Sequence, residues 1–189
     1  MTEMGNTTIY RVVIHKSASI NNLPKLMKLN RVNSTELANK TGYTQSYISK
    51  LANQKTPLQF DSAQAFLKAL PKQNQFMALQ ISNKLVGITT PVIDGDRIMK
   101  EPLAMAVKTM PELSQALEAI QNALDELTIP KEDLKLKDFD DPKELVYQSY
   151  DAVLYLMNLI AFISRGFDFS MQDMLIERHK LWSHEGITK

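Results

Sequence analysis

The chain has 189 residues, 44% of them apolar, no cysteine and a formal net charge of +1. That length suits a small head plus a second body, with enough apolar content for real cores. The missing cysteine excludes disulfides, thiolate zinc sites and cysteine nucleophiles.

The near-neutral total hides an asymmetry. Residues 1–75 carry ten Lys and Arg against three Asp and Glu, a net +7, whereas residues 76–189 carry twelve against eighteen, a net −6. A basic head is attracted to phosphate whatever the base sequence, while an acidic body is repelled by the same duplex and is better suited to meeting protein. The start, MTEMGNTTIY, lacks the basic-then-apolar order of a signal peptide. No apolar run reaches the roughly 18 residues of a spanning helix. A soluble, cytoplasmic chain is expected.

Residues 1–22 read as an arm or strand. The run Ile9–Ile14 has β-branched and aromatic content. It is either packed on the head or an arm whose Arg11 and Lys16 reach a minor groove. A first helix is expected to begin near Asn22, with Pro24 in its first turn and Leu23, Leu26, Met27 and Val32 toward a core.

The next stretch, NSTELANKTGYTQSYISKLANQKT at residues 33–56, has a spacing that points to a job. Ser34 can cap a helix carrying Leu37 and Ala38; Gly42 ends it; Thr44 can cap a second helix carrying Ile48 and Leu51. Two helices joined through a tight turn need a small residue at their closest approach, here Ala38, and one tolerant of positive φ at the turn, here Gly42. Gln45, Ser46, Tyr47, Ser49 and Lys50 are left on the outer face of the second helix. A glutamine amide offers one donor and one acceptor, matching N6 and N7 of adenine, a pairing worth about 1–3 kcal/mol of discrimination.

These residues resemble the helix-turn-helix of the Cro and phage-repressor (Xre-like) family, over about Leu23–Leu70 and most specifically in TQSYISKLANQKT at residues 44–56. The resemblance implies a compact helical head whose second helix enters the major groove. It implies that Gln45, Ser46, Ser49 and Lys50 read bases, and that Thr44, Lys40, Asn53, Lys55 and Thr56 contact phosphate. Two positions depart from the pattern. Gln54 stands where glycine is usual, and Thr41 where an aliphatic residue is usual.

After Pro57, Asp61 can cap a helix over Ser62–Leu70 that turns Ala63, Phe66, Leu67 and Leu70 inward. The head is expected over residues 23–75, then a connecting helix patterned by Phe76, Leu79 and Leu85, with Met77 and Ile81 alongside, and a hinge loop, GITTPVIDGD, together spanning residues 76–96. Residues 97–189 read as a second helical body for dimerisation or interaction. One helix is expected over Arg97–Thr109 and another over Pro111–Leu127, with Leu113, Leu117, Ile120 and Leu124 as the apolar stripe that faces the core and Ala116 and Leu127 at its edges. A charged loop covers residues 128–142, and a long helix follows over Lys143–Arg165.

Between Ala152 and Ile163 that helix is apolar all round except for Asn158, so it must be covered on every side. Either the body wraps it as its own centre or a second copy covers it, and a dimer interface is expected at Leu154, Met157, Asn158 and Ile160. Asn158 either pairs with its symmetry mate or bonds within its own subunit. A last helix, capped by Ser170, offers Met171, Met174, Leu175, Leu181 and Trp182 for packing.

Enzymatic readings fare badly. Six glycines leave no phosphate-cradling loop, and His179 and His184, five apart, fall on different sides of a helix. The carboxylates at Asp138, Asp140, Asp141 and Glu144 lie among lysines as a solvated surface. No cofactor, metal or catalytic residue is expected. The expected class is all-α, a helix-turn-helix bundle followed by a helical body, with a short N-terminal strand or arm. The expected partners are double-stranded DNA, a second copy of the chain, and a protein or effector at the body. The alternative is a protein-binding inhibitor or antitoxin whose acidic body sequesters a partner and whose head serves autoregulation.

Overall fold

The computed structural model describes residues 12–188. It is 68% helical with one two-stranded sheet, which makes the class all-α. The chain divides into two compact units, the first ending at Thr89 and the second running from Thr90.

In the first unit α1 (Leu23–Asn30), α2 (Ser34–Thr41), α3 (Gln45–Ala52), α4 (Ala63–Ala69) and α5 (Gln75–Val86) surround one core. Leu23, Leu37, Ile48, Phe66, Leu70 and Met77 are its most deeply buried members. Burying each such side chain contributes about 1.5–3 kcal/mol, enough for five short helices to hold one another in place. On α5 Met77 and Ile81, expected alongside the stripe, are the buried residues, while Phe76, Leu79 and Leu85 are half-buried. It packs on β1 (Ser17–Ala18) and α4.

Strand β1 pairs antiparallel with β2 (Leu58–Gln59), Ser17 opposite Gln59 and Ala18 opposite Leu58. The strand therefore lies C-terminal to the Ile9–Ile14 run expected from composition. Val12, Val13 and Ile14 are exposed and in no strand, and Ile9, Tyr10 and Arg11 lie outside the described residues. Beside the strand pair the Phe60 N–H donates to the Lys16 carbonyl at 2.9 Å, and the His15 N–H donates to the Leu85 carbonyl of α5 at 2.8 Å.

Two expected caps move. The cap of α2 is Asn33, not Ser34: its side chain accepts from the Glu36 N–H at 2.9 Å, and the Glu36 carboxylate accepts from the Asn33 N–H at 3.0 Å. A reciprocal box satisfies two otherwise unpaired donors, more than Ser34 can offer alone. Asp61 caps nothing; it sits in a 3-10 turn over Phe60–Ser62 that precedes α4.

The second unit is built on two long helices, α6 (Pro102–Thr128) and α7 (Asp140–Gly166), joined by two short 3-10 turns. Arg97–Glu101 is not helical, and the two helices expected on either side of residue 110 are one, with Pro111 inside it on the exposed side. The missing N–H of Pro111 removes one bond, but water can serve the freed carbonyl there. α7 begins at Asp140, three residues earlier than expected, with Pro142 in its first turn where no helical donor is needed. The helices run antiparallel. The Arg165 guanidinium donates to the Lys100 carbonyl, and a Cβ on Gly166 would lie 2.8 Å from Pro102 Cγ.

The seam between them departs furthest from expectation. Ala116, Ala119 and Ala123 are the buried residues of the second half of α6, whereas Leu113, Leu117, Ile120 and Leu124, expected to face the core, are exposed. Ala152, Ala161 and Phe162 are buried on α7. Small side chains let two helix axes approach closely, and the larger residues are then displaced to the flank.

Asn158 is fully buried and bonded within its own chain: its Oδ1 accepts from the Ile93 N–H at 2.8 Å, and its Nδ2 donates to the Pro91 and Leu154 carbonyls at 3.0 and 2.8 Å. Of its two expected settings, this is bonding within its own subunit. The amide ties the loop at residues 91–93 onto α7. Leu154 and Met157 are half-buried and Ile160 is exposed. α8 (Met171–His184), capped by the Ser170 side chain accepting from the Asp173 N–H, has no buried residue: of the side chains expected to pack, Met171 and Trp182 are half-buried while Met174, Leu175 and Leu181 are exposed. By length and composition alone, the helical stretch Leu136–Gly166 is apolar enough to cross a membrane, which the count of consecutive apolar residues did not register.

Candidate nucleic-acid interface

The turn between α2 and α3 is fixed at both ends. Gly42 adopts φ +76°, and its N–H closes α2 by donating to the Ala38 carbonyl at 2.9 Å. A side chain at that angle is strained, so glycine suits the position. Thr44 opens α3, its hydroxyl accepting from the Tyr47 N–H at 3.2 Å. Ala38 is buried where α2 meets its neighbours, and Thr41 fits an apolar position by donating its hydroxyl to the Leu37 carbonyl at 2.7 Å.

With Ile48 and Leu51 buried, the opposite face of α3 is turned to solvent. Gln45, Ser46, Ser49 and Lys50 line one shallow depression there, together with Asn53 and Lys55 from the following loop. Four candidate base readers and two candidate phosphate contacts thus share a surface. Lys40, Thr44 and Thr56 lie outside that depression, Lys40 and Thr44 exposed and Thr56 half-buried.

Loop geometry follows from Gln54. It holds φ +57°, the left-handed region that glycine occupies without cost. The chain then turns back, so that the Lys55 N–H donates to the Lys50 carbonyl at 2.8 Å, while Asn53 Nδ2 donates to the Ser49 carbonyl at 2.8 Å. Gln54 therefore keeps a glycine-like backbone path and positions Lys55 beside Lys50.

Tyr47 is not on the open face. It is half-buried, its ring 4.9 Å from that of Tyr43, which in turn lies 5.8 Å from Phe66. Burial raises the pKa of its hydroxyl above the usual value. This aromatic brace fixes the start of α3 against α4. Placing Tyr47 on the outer face missed it; the four-residue spacing of Tyr43 and Tyr47 was its signal.

The fold and spacing have an independent match. The family model of the Cro/C1-type HTH DNA-binding domain aligns with residues 22–71. Residues 22–71 are a Cro/C1-type helix-turn-helix DNA-binding domain. No curated protein and no solved structure matches the chain. The helix-turn-helix domain takes in α1 to α4, while α5 and the second unit lie beyond the match. The family is one of DNA-binding domains rather than enzymes.

Proposed function

We propose that the chain is a sequence-specific transcriptional regulator, acting as a repressor, that binds an inverted repeat as a homodimer. One observation carries this reading: in a DNA-binding domain of this family, Gln45, Ser46, Ser49 and Lys50 share one solvent-facing surface with Asn53 and Lys55. Gln45, Ser46, Ser49 and Lys50 read base edges in the major groove; Lys40, Thr44, Asn53, Lys55 and Thr56 hold the backbone, setting register without carrying sequence information. Half-sites then lie about 34–36 Å apart, one helical turn. The second unit joins the two copies and receives any protein or small-molecule signal. The place of action is the DNA-containing cytoplasm.

The test is selection from a genomic fragment library across a salt series, with the full-length chain, Gln45→Ala and Lys55→Ala. Enrichment of one inverted repeat is expected. Gln45→Ala relaxes the choice at one position, and Lys55→Ala weakens all sequences while lowering the salt slope by about 1. Binding that is indifferent to Gln45 and to sequence would contradict the reading and favour the alternative, in which the acidic body holds another protein.

A further inference from the structure

The hairpin of α6 and α7 has two unlike faces. On one, Gln115, Glu118 and Asn122 of α6 meet Asp141, Glu144 and Gln148 of α7 around a polar depression. The other is apolar. On α6 it carries Leu113, Leu117, Ile120, Leu124 and Leu127, all between 42% and 61% exposed. On α7 it carries Val153 and Ile160, both nearly half exposed, with the half-buried Leu156 and Ile163 between and beyond them.

That these stripes share a face follows from helix geometry. Leu117, Ile120 and Leu124 each come one position after a buried seam alanine, and on α7 Val153 and Ile163 each come one position after buried Ala152 and Phe162. One position is a turn of about 100° in the same rotational sense. Because the helices are antiparallel, equal turns from the seam bring both stripes to the same side of the hairpin.

We infer that this face binds the same face of a second copy, the two hairpins forming a four-helix bundle; the inference rests on the homodimeric reading above and names its surface. Three observations favour a second copy as the occupant. The stripes repeat at alternating intervals of four and three, at residues 113, 117, 120, 124 and 127 and at 153, 156, 160 and 163, the spacing that knobs-into-holes packing between helices needs. The exposed side chains leave on the order of 600 Å² of apolar surface, the upper end for a monomer, against about 800 Å² that each partner of a standard interface contributes. No charged residue lies on either stripe. An unlike partner would therefore find no charge to pair with, and two acidic units can approach through the neutral centre.

The experiment measures the mass of the full-length chain by light scattering and sedimentation over a concentration series, for the native sequence and for Leu117→Glu with Leu124→Glu, with circular dichroism as a check on helicity. A native dimer and a variant at least tenfold weaker in self-association, with helicity kept, are expected. A native dimer that the variant leaves intact overturns this face while the dimeric regulator stands. A native monomer at every concentration overturns both, whether the face is then found on another protein or on a membrane. Should the double variant lose its helicity, cysteine placement decides. The chain has no cysteine, so Ile120→Cys and Asn122→Cys each carry a single thiol. A short thiol-to-thiol cross-linker is expected to join copies of Ile120→Cys and not of Asn122→Cys on the polar face; equal or reversed yields overturn the inference.

Discussion

The two units solve the problem of burial in opposite ways. The first places its large side chains, Leu37, Ile48, Phe66 and Leu70, at the centre of five short helices and turns polar residues outward. The second packs two long helices on alanines and leaves its leucines in water. A core of large residues is complete within one chain; an alanine seam with leucines on its flank lacks cover on one side. The contrast separates a DNA-binding head with a closed core from a body whose apolar face is left open.

Substitutions can break or sharpen that contrast. Phe66→Ala is expected to have the largest effect, about 3–5 kcal/mol lost from the first unit. Amide exchange resolved by unit should show the loss confined to α1–α5 and independent of protein concentration; a loss that changes with concentration would mean the first unit also depends on a partner. Asn158→Ala leaves the Ile93 N–H unpaired and unties the loop at residues 91–93, a cost of about 2–3 kcal/mol to the second unit. Thermal unfolding at several concentrations checks this. A variant that unfolds like the native chain, yet no longer self-associates, would place Asn158 in the interface instead. Gly166→Ala tests the close approach at the end of the seam, where its new Cβ meets Pro102, at about 1–3 kcal/mol.

The smallest effect has the opposite sign. Gln54→Gly relieves a left-handed residue and is expected to stabilise the first unit by about 0.5–1 kcal/mol with DNA binding unchanged. A denaturant titration showing destabilisation would mean that the Gln54 side chain makes a contact worth more than the backbone strain it imposes.

Legibility from sequence follows the same division. In the head, turn and cap chemistry is local, so Gly42, Thr44, Ile48 and Leu51 took their expected places, and the outward set on α3 could be named apart from Tyr47. Asn33 displaced Ser34 because a capping box needs Glu36 as well. In the body the pattern was correct and its direction was not. Periodicity marks Leu113, Leu117, Ile120 and Leu124 as one stripe, but it cannot say whether the core lies inside the chain or outside it. The alanines one position earlier, at 116, 119 and 123, carried that information, because only small residues allow so close a seam. Pro111 was read as a boundary because a proline ordinarily ends a helix; on an exposed side it need not.

The central claim is that α3 reads the major groove in each of two half-sites held by paired copies. Methylation protection of the selected site by the full-length chain tests it most directly. The account predicts two patches of protected guanine N7 in the major groove on one face of the duplex, about one helical turn or 10 base pairs apart, with protection weakened in both patches together in Gln45→Ala. A single protected patch, or protection confined to the minor groove, would contradict it.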